Sequence, residues 1–498
     1  MIRRVLIANR GEIARRVIRT CRAMGIKTVA VYSDADTDAP HVQEADQGVA
    51  IGPAPPADSY LNIAKVIEAA RRTSADAVHP GYGFLSENAA FAEACEAAGI
   101  VFIGPPGPVI RAMGSKTGTR AAVAAAGVPV VPGATPRTQD QAGIVDAIRQ
   151  VGLPVMLKAA GGGGGKGMRV VRREDEVATA LESARGEARR SFGNDALYVE
   201  RLIERARHIE VQIMADRHGQ AVHVYERDCT LQRRHQKVIE EAPAPAVTEA
   251  LRDRLTRAAL QAARAVGYVN AGTVEFLVDT GSDGEPDFYF LEMNTRLQVE
   301  HPVTEAITGL DLVRVQIEIA NGDPLPFRQS DIRATGHAIE CRVYAEDPVR
   351  LLPQSGRLLR YREPRGDGIR VDSGVVGGQH VTVHYDPMIA KLIAHAPTRA
   401  AAIARSLDAL GQFAILGIRH NISFLAALLR RPEVGTHDIH TRFIEEHLDQ
   451  LVRPPDLALR AAAAAVAARL ATSDPMPAED EDATAAFDPW HLLGPVRW

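Results

Sequence analysis

Cysteine is scarce in this sequence: there are four residues in 498, Cys21, Cys95, Cys229 and Cys341, and no two stand at CxxC spacing. That spacing excludes a CxxC-type zinc site, and it fits free thiols in a reducing, cytoplasmic compartment better than a disulfide framework. A surplus of one charge is also missing, since 58 basic residues face 62 acidic ones for a net charge of −4. With both signs mixed along most of the chain, no nucleic-acid or membrane surface is expected, and small-molecule chemistry becomes the default. The opening MIRRVLIANRGEIARR is broken by Asn9 and Arg10, so it is neither a secretory segment nor a membrane span. Aromatic residues make up only 5 % of the chain, yet both tryptophans, Trp490 and Trp498, lie in the last nine positions. Exposed aromatics there predict a docking partner or a continuation of the chain.

What the sequence does have is alternation. RRVLIAN, GEIARRVIRTCRAMG and KTVAVYS form a strand–helix–strand unit, and the pattern continues through ADAVHPGYG, a helix near residues 87–98, and IVFIGP. Residues 1–115 are therefore expected to form a parallel α/β domain with its loops at one sheet edge. Residues 116–330 hold the strand candidates HIEVQIMAD, AVHVYERD, GTVEFLVD and FYFLEMN with a long helix between them, which predicts a mixed sheet backed by helices. Residues 331–447 add further strands and helices, and 448–498 look like a linker with an Ala-rich helix and the acidic run Glu479–Asp482. The fold class is α/β and α+β, in several domains.

The stretch VMLKAAGGGGGKGMRVV places Gly161–Gly165 between two apolar runs and between Lys158 and Lys166. Without Cβ atoms, consecutive backbone N–H groups can converge on phosphate, and a nearby lysine adds charge. A dinucleotide site is disfavoured because a strand-like segment, not a helix, follows the glycines. A Walker A loop fails at Ala160 and Gly167, and a protein kinase lacks its HRD and DFG tripeptides here. A glycine hairpin acting as a phosphate lid remains, beside the plain alternative of a floppy linker.

Three further patterns carry chemistry. Glu275 sits on an otherwise apolar strand, while Glu292 and Asn294 share a face at the end of another. Two carboxylates and an amide oxygen suit Mg²⁺ bound to phosphates, and salt-bridged strand ends are the alternative. In NTRLQVEHP, Arg296, Gln298 and Glu300 alternate, so an extended segment would point them one way, toward a small planar oxyanion. ERDCTLQRRHQKVIEEAP crowds Arg227, Arg233, Arg234, His235 and Lys237, as a surface helix or as an anion-lined loop in which Lys237 would contact phosphate. His208 and His235 lack a partner at metal-ligand spacing, which favours hydrogen-bonding roles.

These motifs, with RVLIANRGEIA, HPGYGFLSEN and AEDP, resemble the biotin carboxylase family of the ATP-grasp superfamily as far as about residue 447. The resemblance implies an N-terminal α/β domain (1–115), an ATP-grasp domain (116–330) whose lid covers about 130–204, and a C-terminal domain (331–447), assembled as a homodimer or in a larger complex. It implies a ligase that makes carboxyphosphate from bicarbonate and MgATP (or MnATP) and carboxylates biotin held on a carrier. Carried over, Lys116, Lys158, Gly164, Gly165, Met168, Glu200, Arg201, Ile203, His208, Gln232 and His235 would contact ATP, with Arg201 standing where the family often has Lys. Glu275, Glu292 and Asn294 would hold the metal, the two glutamates also serving the nucleotide. Glu300 would deprotonate bicarbonate, with Lys237, Arg296, Gln298 and Val299 around the anion. Tyr82, Gly83 and Arg342 would form the biotin pocket. VTVHYDPMIAKLIAH and LRAAAAAVAARL are similar to α subunits of the methylcrotonyl-, propionyl- or geranyl-CoA carboxylases, which implies a carboxyltransferase partner. No A-M-K-M biotin-attachment motif occurs in the sequence, so biotin is expected on a carrier. The alternatives are an ATP-grasp ligase for another carboxylate and a non-catalytic assembly subunit.

Overall fold

Alternating apolar strands and amphipathic helices build the first sheet. Strands β1 (Arg4–Ile7), β2 (Lys27–Ser33), β3 (Gln47–Gly52), β4 (Ala77–His79) and β5 (Val101–Phe102) lie in the order β3-β2-β1-β4-β5, all parallel. Helix Gly11–Ala23 packs Ile13, Ala14, Val17, Ile18 and Cys21 inward, one stripe at helical spacing. The strand order reverses between β1 and β4, which opens a crevice at their carboxyl ends where α/β sheets place their ligands. Asn9, after β1, donates from Nδ2 to the carbonyls of Pro80 (2.8 Å) and Tyr82 (2.7 Å), after β4. The Tyr82–Gly83 loop is thereby fixed across that crevice.

The computed structural model describes residues 1–160, 167–234, 236–280 and 285–452 with Ala465, and only the backbone of Lys116, Thr117 and Phe192. Residues Met1–Leu451 form one compact unit and Val452–Trp498 a second. The acidic run, both tryptophans and all of the Ala-rich segment except the helical Ala465 lie outside the described residues.

A second sheet has the order β6-β9-β7-β8, with β6 (Gly133–Ala134), β7 (Val155–Ala159), β8 (Arg169–Val171) and β9 (Leu197–Arg201) antiparallel throughout. Strands β7 and β8 are the apolar runs that flank the glycines, paired as a hairpin; Gly161–Lys166 themselves, including Gly164 and Gly165, lie outside the described residues. At Gly167, φ is +71° and an added Cβ would come within 3.0 Å of the Ala159 Cβ, so this position needs glycine for both reasons. Helices Gln141–Val151 and Val177–Phe192 cover the sheet over Ile144, Leu157, Leu181 and Val199.

The third sheet contains β10 (Ala206–Ala215), β11 (Ala221–Arg233), β12 (Gln236–Ala242), β13 (Asn270–Asp279), β14 (Asp287–Asn294) and β15 (His337–Tyr344). Beyond two short ribbons, β16 (Gly356–Arg357) with β19 (His380–Val381) and β17 (Arg360–Arg362) with β21 (Ala414–Leu416), it continues through β18 (Ile369–Ser373) and β20 (Met388–Ala396). Its order is β14-β13-β10-β11-β12-β15-β20-β18, and every described pairing is antiparallel. The expected mixed sheet is thus antiparallel: hairpins join β10 to β11, β11 to β12 and β13 to β14, and the helical connections, Glu249–Ala265 among them, return the chain in antiparallel sense. One continuous sheet also spans residue 331, so side chains from both sides of that position share a face. No described helix is long and apolar enough to cross a membrane.

Candidate active site

The middle of the third sheet carries charge where strands are normally apolar. Glu210 on β10 lies directly opposite Glu275 on β13, which in turn lies opposite Glu292 on β14. Three carboxylates on adjacent strands would repel one another without counter-charge. Lys237, on β12, supplies it: Nζ stands 2.6 Å from Glu210, 2.8 Å from Glu275 and 2.6 Å from Glu300. Burial opposes a charge on Lys237, but the three carboxylates outweigh it and raise its pKa well above the ordinary lysine value. Arg227, on β11, is fully buried and donates to Glu210 (2.5 Å), Gln212 (2.8 Å), Thr304 (2.9 Å) and Thr273 (3.1 Å). His208 stands 3.0 Å from Glu275, which raises its pKa against the opposing effect of burial.

Glu300 directly precedes helix His301–Thr308 and makes no side-chain capping bond to it. Its carboxylate lies between Lys237 on one side and Arg342, on β15, at 3.0 Å on the other. Burial works against ionisation, but Lys237, Arg342 and Arg227 together hold the carboxyl well below the usual carboxylate range. Cys229 is near, its Sγ 3.9 Å from Glu300 Oε1. Arg342 also donates to Glu240 at 2.5 Å.

Arg296 donates to Asn294 (3.0 Å), Gln298 (2.9 Å) and Glu87 (2.9 Å), while Gln298 donates to Glu275 (3.3 Å). Residues 295–300 form a bend and a turn instead of the extended segment that alternation suggested. The side chains still converge, through these hydrogen bonds. The basic stretch 226–243 is likewise neither helix nor loop but the hairpin β11–β12. It disperses its cations: Arg227 is buried against Glu210, Arg233 pairs with Glu346, and Lys237 bridges Glu210, Glu275 and Glu300. His235 lies outside the described residues.

The nucleotide candidates divide between the second sheet, with Lys158, Glu200 and Arg201, and the third, with His208, Gln232, Glu275 and Glu292. Lys158, buried on β7, donates to Glu200 on β9 at 2.5 Å, and Arg120 holds the other Glu200 oxygen at 2.7 Å. Arg201 donates to the Tyr289 hydroxyl (3.0 Å), Ile203 is buried, Met168 is half-buried, and Gln232 lies opposite Lys237. Lys116 begins helix Lys116–Ala125. The donor set Glu275, Glu292 and Asn294 consists of hard oxygens from two neighbouring strands, which fits Mg²⁺ or Mn²⁺. Sequence reasoning passed over Glu210, although it interrupts an apolar strand just as Glu275 does, and also Glu87 and Glu240, whose importance lies in which arginine they hold.

Family models match residues 1–110 (biotin carboxylase, N-terminal domain), 115–328 (carbamoyl-phosphate synthase L chain, ATP binding domain) and 340–446 (biotin carboxylase C-terminal domain). A biotin carboxylase of Halalkalibacterium halodurans is 52% identical over 448 residues, which cover 90% of this chain and 98% of that one. The chain belongs to the biotin carboxylase family. Another relative within reach of this biotin carboxylase family member is the methylcrotonoyl-CoA carboxylase subunit alpha of Mus musculus, 51% identical over 453 residues, 91% of this chain. The chain spans 63% of that relative's length. Among solved structures, a biotin carboxylase–β-γ-ATP complex from Campylobacter jejuni superposes with a TM-score of 0.87 at 44% identity, covering 90% of this chain and 99% of that one. The Hydrogenobacter thermophilus 2-oxoglutarate carboxylase biotin carboxylase domain, a dimer with MgADP, ADP and bicarbonate, has a TM-score of 0.87 at 42% identity, covering 92% and 100%.

Glu240 offers a test of this electrostatic arrangement. Burial, only partly countered by Arg342, raises its carboxyl from 4.5 to about 7. The folded state therefore binds a proton more tightly than the unfolded chain, and stability from this group is lost as pH rises from 4.5 to about 7. Glu240→Gln should make the denaturation midpoint fall less steeply over that window than in the parent; parallel curves would refute the assignment.

Proposed function

We propose that this chain is an ATP-dependent biotin carboxylase acting on carrier-bound biotin. The observation that carries the proposal is Glu300, ionised between Lys237 and Arg342, one turn from Arg296 and Gln298. A carboxylate held so low is a weak base while both cations attend to it. When bicarbonate enters, its negative charge shares Lys237, Arg296 and Arg342, their hold on Glu300 weakens, and its basicity rises at the moment a proton must be taken. The carbonate oxygen so exposed attacks the ATP γ-phosphorus, releasing ADP and giving carboxyphosphate. Breakdown yields CO₂ and phosphate; phosphate removes the ureido proton of biotin, and the nitrogen adds to CO₂. Arg342, assigned with Tyr82 and Gly83 to the biotin pocket, would offset the charge on the biotin oxygen as the proton leaves.

Lys116, Lys158, Glu200, Arg201, Ile203, His208, Gln232 and His235, with Met168 and the glycines Gly164 and Gly165, would bind ATP. A divalent ion held by Glu275, Glu292 and Asn294 would offset phosphate charge. Water exclusion is the role for the glycine hairpin, because carboxyphosphate is short-lived in water. The nucleotide-binding part then corresponds to 116–330, flanked by 1–115 and 331–447. In a cytoplasmic acyl-CoA carboxylase this would be the first half-reaction, with a biotin carrier, a carboxyltransferase and a second copy of the chain as partners. Four buried free cysteines fit that compartment.

ADP release measured with MgATP should depend on bicarbonate and increase on adding free biotin. Release that ignores bicarbonate but responds to another carboxylate would favour a different ATP-grasp ligase. No release under any condition would favour an assembly subunit.

A further inference from the structure

The segment VTVHYDPMIAKLIAH contains a lysine that the mechanism above does not use. Lys391, on β20, is fully buried and lies directly opposite Arg342 on β15 and Asp372 on β18, so the three side chains share one face of the sheet. Its Nζ donates to the backbone carbonyl of Val299 at 2.8 Å. It also stands 3.2 Å from Glu12 Oε1, in the first turn of helix Gly11–Ala23, and 5.7 Å from the centre of the Tyr82 ring. Adjacent strands thus send two cations to two consecutive residues: Lys391 to the Val299 carbonyl, Arg342 to the Glu300 carboxylate. The junction with the N-terminal helix is close, since a Cβ added at Gly374 would come within 2.8 Å of the Glu12 backbone nitrogen.

We infer that Lys391 is a positioning residue that fixes the Val299–Glu300 peptide relative to Arg342 and Tyr82, and so sets the distance between the bicarbonate base and the biotin pocket. An ammonium suits this place because it can donate to a carbonyl, a carboxylate and an aromatic face from one atom. Buried among them it has little freedom, and its partners inherit that restraint. None of the Lys391 contacts given above is a residue proposed to bind ATP: Lys158 and Glu200 lie on the second sheet, and His208, Gln232, Glu275 and Glu292 lie on β10, β11, β13 and β14. Loss of the ammonium should therefore loosen the anion pocket and spare ATP binding. The inference rests on the biotin carboxylase reading of the site.

The experiment is steady-state ADP release by the full chain, parent against Lys391→Met and Glu12→Gln, with bicarbonate and MgATP varied in turn. Lys391→Met should raise the KM for bicarbonate about tenfold or more, while the KM for MgATP stays within about twofold, because a misplaced group penalises the step it serves. Glu12→Gln, which weakens only the second tether, should raise the bicarbonate KM about threefold. Unchanged bicarbonate dependence in Lys391→Met overturns the inference, and so does a parallel rise in both KM values. If Lys391→Met does not fold, Glu12→Gln decides, an unchanged bicarbonate KM again overturning it. A parent enzyme whose ADP release ignores bicarbonate overturns the underlying reading, and this inference with it.

Discussion

Glu300→Gln should reduce bicarbonate-dependent turnover by about 10²–10⁴-fold, the usual contribution of a positioned general base. Gln keeps the size and shape but can accept from only one of Lys237 and Arg342, because its NH2 replaces the oxygen that faces the other donor, so the variant removes the proton-accepting carboxylate while leaving the packing volume in place. Raising the pH should not restore activity. In the parent, the carboxyl lies well below the ordinary value, so Glu300 is ionised across the whole neutral range and only strong acid would protonate it. Binding of MgADP, measured by titration calorimetry, should remain within a few fold of the parent. Turnover of the variant within a few fold of the parent would remove Glu300 from the base role.

The second large effect is on stability. Arg227→Met should cost about 3–5 kcal/mol, the range found when one member of a buried ion pair is removed and its partner stays charged. Glu210 would lose its 2.5 Å partner, and Gln212, Thr273 and Thr304 would each lose a donor in a place that water does not reach. Lys237 would then be the remaining cation on Glu210, while also serving Glu275 and Glu300. Adding Glu210→Gln to Arg227→Met should recover part of the loss, since it removes the stranded charge. Denaturant midpoints of the two single variants and the double variant give the coupling directly. A loss below about 1 kcal/mol for Arg227→Met would mean the cluster is solvated in a way its burial does not suggest.

The contrast between Arg227 and Lys237 also shows what a sequence can and cannot convey. Glu275 stood out because a carboxylate on an apolar strand is costly, and the same logic would have found Glu210 on its neighbour. Strand identity and alternation are local properties, so both were within reach. The partner of each charge is set by register, which is a tertiary property. In the basic stretch from Arg227 to Lys237, five cations looked alike; register sends Arg227 into the core, Arg233 to Glu346, and Lys237 to the carboxylates. Arg296, Gln298 and Glu300 converge for a reason different from the one their alternation gave, because a turn and a hydrogen-bond chain do what an extended segment was expected to do. The antiparallel character of the third sheet rests partly on tight turns such as residues 216–220, a local signal, and partly on where the helical connections return the chain, which is a tertiary property.

The second and third sheets are separate hydrogen-bonded ladders, and the isolated bridge between Val130 and Phe290 ties the third only to the segment ahead of β6. Of the residues proposed to bind ATP, Lys158, Glu200 and Arg201 rest on the second ladder, while His208, Gln232, Glu275 and Glu292 share the third with Lys237 and Arg342. A substitution that retunes the residues around Glu300 has no ladder through which to disturb the strands that carry Lys158 and Glu200. The small acid accepted by the pocket can thus change through residues near Arg296 and Arg342 while the part of the nucleotide grip on the second sheet is inherited unchanged.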